Sequence, residues 1–307
     1  MRSKREGKIC VVLGGGGARG LAHLGVLQVL EREEIPVDCL VGTSVGAVVG
    51  ACYATTPDAF SESRRALAYF RSAAFAESPF KKLLLKSDDV ERNFFTSLVA
   101  SVKRSYVFSN LLRRMSIFQS DRLLQLIADL VPDKTFADCK VPFAVPALDL
   151  GSGEEILIRG GRLHPAVLAS CSLPGFFPPV ELQGRLLADA GVIGPVPVSA
   201  ARQLFEPSVV IAVDISTSLD LEETYSCGLD VILRTENIAS ARLNALEIEK
   251  ADVVIQPDVG RKYWSDFSDL ASLVTEGLVA AESKLGEIRD AIGRSRRKSF
   301  FWNPLTY

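Results

Sequence analysis

Apolar residues fall along this chain in two rhythms. Short, mostly β-branched runs at Ile9 to Leu13, Val37 to Val41, Phe143 to Leu148, Ile156 to Ile158, Val209 to Asp214 and Val253 to Ile255 predict strands. Between them, apolar positions recur every three or four residues, as amphipathic helices require. One such pattern runs through Leu21, Leu24, Leu27 and Leu30. A second follows Ser120 through Leu123, Leu124, Ile127 and Leu130, with Pro132 ending it. The last and longest runs from Leu270 through Leu273, Val274, Leu278, Ala281, Leu285 and Ile288 to Ile292, where Gly293 closes the pattern. This alternation predicts an α/β fold of three layers, a mainly parallel sheet flanked by helices.

One block breaks the rhythm. From about Phe75 to Phe118, Phe and Leu clusters alternate with Lys81, Lys82, Lys86, Lys103, Arg104, Arg113 and Arg114. It reads as a helical insertion which, with the helix that follows, spans about 75–130. Apolar anchors beside cations suit either a helical layer packed on the sheet or a lid touching an anionic membrane surface. No internal repeat or linker divides the chain, so residues 1–293 are expected to form one domain and 294–307 a loosely held basic and aromatic tail.

Composition narrows the function classes. Lys+Arg 35 against Asp+Glu 37 leaves no cationic excess for a nucleic-acid partner. The six cysteines are too sparse for a disulfide scaffold and too scattered for a zinc site, so no metal is expected. The apolar stretch from Ile9 to Leu13 is too short for a signal-peptide core, and no later segment reaches the length of a membrane span. A soluble, cytoplasmic protein is expected, with peripheral membrane contact as an option. Nothing in the sequence speaks to its oligomeric state.

The chemistry concentrates after the first two strands. Gly14-Gly15-Gly16-Gly17-Ala18-Arg19-Gly20 follows the first strand and opens a helix. Gly15, Gly17 and Gly20 satisfy a dinucleotide fingerprint, with Asp38 as the acid. Asp38, however, begins the second strand, whereas a ribose-binding carboxylate belongs at its end. The same glycines also serve as an oxyanion hole, because residues without Cβ let backbone amides approach a reacting oxygen.

At the end of the second strand stands Gly42-Thr43-Ser44-Val45-Gly46, a G-x-S-x-G elbow in strand-turn-helix context. Ser44 is the candidate nucleophile, with helix capping as the alternative role. A serine needs a base, and the chain has two histidines. His23 lies one turn into the first helix, where a buried structural role fits better. His164 precedes a helix without an evident orienting acid beside it. A carboxylate can act instead, and Asp189 is the best placed, ending an apolar strand before Ala190-Gly191. Asp149 and Asp214 also end strands and compete for the role. Upstream lies Ala169-Ser170-Cys171-Ser172-Leu173-Pro174-Gly175-Phe176-Phe177-Pro178-Pro179, whose prolines and glycine enforce a turn and whose aromatics suit an acyl pocket.

Taken in order, these blocks resemble the patatin-like phospholipase family, in particular its bacterial members. The match comprises Gly14 to Gly20 with Arg19, then His23-Leu24-Gly25-Val26, the Gly42 to Gly46 elbow, the Pro174 to Pro179 turn and Asp189-Ala190-Gly191. It covers about the first two thirds of the chain. The resemblance implies a Ser44–Asp189 dyad and an oxyanion hole from the Gly15, Gly16 and Gly17 amides. Gly14, Arg19, Gly20, Gly42, Gly46 and Gly191 would support the motifs. It also implies hydrolysis of lipid acyl esters without metal or cofactor. Beyond about Leu221 no motif matches. Two other classes stay open: a dinucleotide-dependent oxidoreductase using the glycine loop alone, and a non-enzymatic regulatory or scaffold protein on the same fold.

Overall fold

The computed structural model describes residues 7–78, 81, 115–116, 118–217, 228–260, 266–267 and 269–301. The block from about 75 to 118 lies largely outside these residues, as does the end of the tail. In chain order the strands are β1 Ile9–Leu13, β2 Cys39–Gly42, β3 Phe143–Asp149, β4 Glu155–Ile158, β5 Val180–Leu182, β6 Arg185–Asp189, β7 Val209–Val213 and β8 Val253–Ile255. The helices are α1 Leu21–Arg32, α2 Val45–Thr55, α3 Ala59–Arg71, α4 Ala73–Ala76, α5 Ser120–Leu130, α6 Leu163–Cys171, α7 Val198–Phe205, α8 Gly228–Ile248, α9 Leu270–Ser283 and α10 Leu285–Phe301.

All eight strands join one sheet, whose path of paired neighbours is β5-β6-β3-β2-β1-β7-β8, with β4 also paired to β3. Pairings from β3 through β2, β1, β7 and β8 are parallel, and those of β3 with β4, β3 with β6 and β5 with β6 are antiparallel. The expected three-layer, mainly parallel arrangement is what forms. Val11, Leu13, Leu40 and Ile211 turn to one face beneath α1, α2 and α9, while Cys10, Val12, Cys39 and Val41 turn to the other, beneath Val198 and Ala201 of α7. Burial on both faces explains why these strands read as continuous apolar runs.

The antiparallel flank positions the site. In a strand, alternate residues direct their backbone groups to opposite edges. On β3, Pro142 O accepts from Leu40 N at 2.9 Å and Leu150 N donates to Leu186 O at 2.9 Å, so the even-numbered residues face both β2 and β6. Asp149 N donates to Glu154 O at 3.0 Å, which puts β4 on the other edge. β2 and β6 therefore share one edge of β3 and run toward each other along it. Between them sits Pro146, which has no N–H to leave unpaired where the ladder breaks.

Four features depart from the sequence pattern. β5 went unrecognised because it has only three residues; Gln183 and Gly184, both at positive φ (54° and 74°), turn it into β6 as a two-residue hairpin. Leu124 of α5 is 39% exposed and lies off the buried face that Leu123, Ile127 and Leu130 form. The long terminal pattern is two helices rather than one. Lys284 N bonds back to Ala281 O in a tight final turn and α10 starts anew at Leu285, yet Ala281, Ile288 and Ala291 all remain buried, so the periodicity hides the break. Finally, α10 continues through Gly293 to Phe301. A Cβ at Gly293 would meet open space, so that glycine occupies a solvated helix position, and residues 294–301 are helical where a loose tail was expected.

Candidate active site

The elbow between β2 and α2 is strained in the manner its sequence predicts. Ser44 sits at φ 55°, ψ −121°, a backbone conformation that costs a non-glycine residue about 1–3 kcal/mol. Its glycines are forced by close approach. A Cβ at Gly42 would lie 2.2 Å from Gly46 O, and one at Gly46 would lie 2.2 Å from Leu13 O, so the turn closes only without side chains there. Ser44 precedes the first residue of α2, and its side chain makes no capping hydrogen bond to the helix. The capping role weighed from sequence is absent. Its backbone N–H instead donates to Ser170 Oγ on α6 at 3.0 Å.

Asp189 arrives from the opposite direction, at the end of β6. The β3–β6 register pairs it with Ala147. Counting the β2–β3 register on from Val41 and Ala144 brings Ser44 level with the same alanine. The carboxyl is 3% exposed and accepts from Gly191 N–H at 2.8 Å. Burial is the largest influence on it and raises its pKa from 3.8 to about 6, against the opposing pull of the Gly191 amide and of a hydrogen bond from the Ser44 side chain. The rival carboxylates are occupied elsewhere. Asp149 is held by Gly151 N, Ser152 Oγ and Arg185 Nη1. Asp214 is held by Ser216 N, Gln256 Nε2 and Asn244 Nδ2.

The glycine loop faces this pair. A Cβ at Gly15 would stand 3.4 Å from the Ser44 Cβ, and Gly14 and Gly20 pack against Val196 and Val45. The three loop amides are not equivalent. Gly15 N–H donates to Pro195 O at 3.0 Å and Gly14 N–H to Val213 O at 3.0 Å, so neither proton is available to a substrate. Among the described residues nothing accepts from the amides of Gly16, Gly17 or Val45. Arg19 Nε donates to Gly16 O at 2.8 Å. In a trans peptide the following N–H points the opposite way, so this bond fixes the direction of the Gly17 amide. Burial lowers the Arg19 pKa to about 10, with nearby Asp214 opposing the shift, so the guanidinium stays charged.

Neither histidine is near this chemistry as a base. His23 is fully buried, with Nε2 2.8 Å from Gly14 O. Burial lowers its pKa to about 4, so it is neutral and donates from Nε2, anchoring the loop as a structural group. His164 Nε2 contacts Val131 O at 2.8 Å, and its other nitrogen lies 3.8 Å from Asp133. Asp38, the acid of the dinucleotide reading, accepts from Ile9 N at the start of β1, the far end of the sheet from the glycine loop.

Ser44, Asp189, Gly15, Gly16, Gly17, Arg19 and Gly191 line one cavity of about 740 Å³. α5 gives it an apolar wall of Leu123, Leu126, Ile127 and Leu130, and Leu173 and Phe177 of the proline-rich turn join that wall. α8 supplies Arg234, Asn237, Ser240 and Ala241. Sequence reasoning found nothing in α8, nor the role of Ser170. Their signal is only a polar stripe at helical spacing, which ordinary surface helices share.

The family model for patatin-like phospholipase matches residues 11–202. The chain belongs to that family. A patatin-like phospholipase domain-containing protein of Caenorhabditis elegans is 34% identical over 218 residues, 70% of this chain and 14% of that protein. Human patatin-like phospholipase domain-containing protein 6 is 32% identical over 224 residues, 72% of this chain and 14% of its own length. An uncharacterized NTE family protein of Mycobacterium bovis is 27% identical over 219 residues, 71% of this chain and 52% of its own. This chain thus spans about half of the bacterial relative and a small part of the animal ones. Among solved structures, human GIVD cytosolic phospholipase A2 shares the fold at TM-score 0.50 and 14% identity, covering 97% of this chain and 61% of that one.

Proposed function

We propose that this chain hydrolyses carboxylic esters of lipids, with Ser44 as nucleophile and Asp189 as its base. The observation that carries this reading is the meeting of a strained serine elbow with a buried carboxyl of raised pKa in a cavity with an apolar wall. Membership of the patatin-like phospholipase family points the same way. In this reading Ser44 Oγ attacks the ester carbonyl carbon while its proton passes to Asp189. The oxyanion that forms is held by the Gly16 and Gly17 amides, each donor lowering the barrier by about 3 to 4 kcal/mol, with the Val45 amide at the N-terminus of α2 close by. Collapse breaks the carbonyl–alkoxy bond, and the leaving alcohol takes the proton from Asp189. Water then attacks the acyl-serine, giving up a proton to Asp189; the bond between the acyl carbon and Ser44 Oγ breaks, Oγ takes that proton back, and the carboxylic acid departs.

A carboxyl with pKa about 6 suits this work. It is ionised at neutral pH yet is a stronger base than an ordinary aspartate, which narrows its gap to the serine hydroxyl. A fluorophosphonate probe tests the assignment. Wild-type protein should be labelled covalently and Ser44→Ala should not; an unlabelled wild type, or equal labelling of both, refutes it.

A further inference from the structure

The Ser44 elbow is strained, and a strained residue keeps its conformation only where its surroundings over-determine it. The sheet and α2 hold most of its main-chain groups. Thr43 N donates to Leu13 O at 3.0 Å, Gly46 N to Thr43 O at 2.8 Å and Ala47 N to Ser44 O at 2.8 Å. The Ser44 N–H is taken by neither. It donates to Ser170 Oγ at 3.0 Å, and Ser170 is fully buried in the last turn of α6. Because the peptide is planar, this bond sets the rotation of the unit that carries the Ser44 Cα, and with it the direction of the side chain.

The same helix end reaches the carboxylate. Leu186 and Ala188 turn their backbone groups toward β3, so the Asp189 N–H points to the other edge of β6, beyond Val180, where β5 begins. There the Ser172 carbonyl accepts it at 3.0 Å. Ser172 in turn closes α6, its Oγ donating to Leu168 O at 2.8 Å and its N to Ala169 O at 3.3 Å. Residues 170 and 172, two apart on one helix end, therefore hold the main-chain amides of both Ser44 and Asp189, and Cys171 between them lines the cavity.

We propose that Ser170 is a positioning residue for the reaction: its hydroxyl oxygen holds the elbow in the rotation that aims Ser44 Oγ at Asp189, while Ser172 fixes the carboxylate at matching reach. This rests on the hydrolase reading for the chemistry it serves, though not for the tie itself. Proton transfer needs the two oxygens within about 2.6–3.2 Å, and a displacement of about 1 Å costs about 100-fold. In Ser170→Ala the Ser44 N–H loses its acceptor, and the elbow relaxes toward an unstrained conformation. Ser170→Cys is nearly isosteric but a poorer acceptor, so it keeps the packing while weakening the tie.

The test measures kcat, KM and the pH profile on one neutral ester for wild type and both variants. In Ser170→Ala kcat should fall about 100-fold with KM within about twofold, and Ser170→Cys should lie in between. The midpoint of the acid limb should also move up from about 6, because a Ser44 hydroxyl turned away no longer favours the charged form of Asp189. An unchanged kcat overturns the proposal. So does a lower kcat with an unmoved midpoint, which is what a mere loss of folded enzyme gives. Should Ser170→Ala not fold, Ser170→Cys carries both readouts. Amide hydrogen exchange followed by mass spectrometry supplies an arm that needs no turnover: exchange at Ser44 should quicken about tenfold or more in Ser170→Ala, and equal protection overturns the tie. If wild type cleaves no ester, the hydrolase reading has failed, and the exchange arm still decides whether Ser170 holds the elbow.

Discussion

Replacing Asp189 by asparagine should stabilise the protein, and by an amount that depends on pH in a defined way. Asparagine keeps the shape of the side chain and an oxygen to accept the Gly191 N–H, but it carries no charge. In the folded protein the carboxyl has its pKa raised from 3.8 to about 6, chiefly by burial. The folded state therefore holds a proton that the unfolded chain has released across this range, and wild-type stability falls as pH rises through it. Moving the pKa that far is equivalent to about 3 kcal/mol. Below about pH 3 the carboxyl is protonated in both the folded and the unfolded state and the difference between variant and wild type is small. Above about pH 6.5 the variant should be ahead by about 3 kcal/mol, with most of the change between pH 4 and 6. Urea denaturation followed by circular dichroism at half-unit pH steps measures this directly. Groups common to both proteins, including His23, cancel in the difference. A difference that is flat with pH, or that grows toward acid, would refute the claim that the carboxyl is held in a desolvated site.

Two more outcomes follow from the same geometry. The acid limb of kcat/KM for a neutral ester should have its midpoint near pH 6, falling about tenfold per pH unit below it, and it should persist in His164→Gln; a limb abolished by that substitution would reassign the base. Gly46→Ala should destabilise the fold by about 3 kcal/mol or more, since its Cβ would lie 2.2 Å from Leu13 O, and a thermal-melt shift of less than a degree would contradict that packing.

Much of the fold was legible because its strands are buried on both faces, so their apolar runs stood out whatever the topology. The elbow was equally plain, since its five residues form a motif contiguous in sequence, with Gly42 demanded by the Gly46 backbone and Gly46 by Leu13 at the end of the neighbouring strand. The loop amides were legible as a group but not one by one. Whether Gly15 N–H is free depends on Pro195, far along the chain, and no local pattern encodes that bond. The same holds for Asp189 against Asp149 and Asp214. All three lie at or just past a strand end and accept from the amide two residues on, and only the side chains gathered around each distinguish them: Arg185 and Ser152 at Asp149, Gln256 and Asn244 at Asp214, and Ser44 at Asp189. α8 was invisible because its inward face is polar, so its pattern lacks the apolar stripe by which docked helices are recognised.

The head-on meeting of β2 and β6 along one edge of β3 has a bearing on how the protein is made. The serine elbow can form early, since β1, β2 and α2 are contiguous. Its proposed partner is delivered only after β3 is laid down and the β5–β6 hairpin folds back onto it, and α8, later still, ties down the turn that follows Asp189. A chain emerging from the ribosome would carry Ser44 before Asp189 exists to meet it. If Ser44 and Asp189 are the reactive pair proposed above, that order of assembly withholds reactivity until the sheet has closed around them.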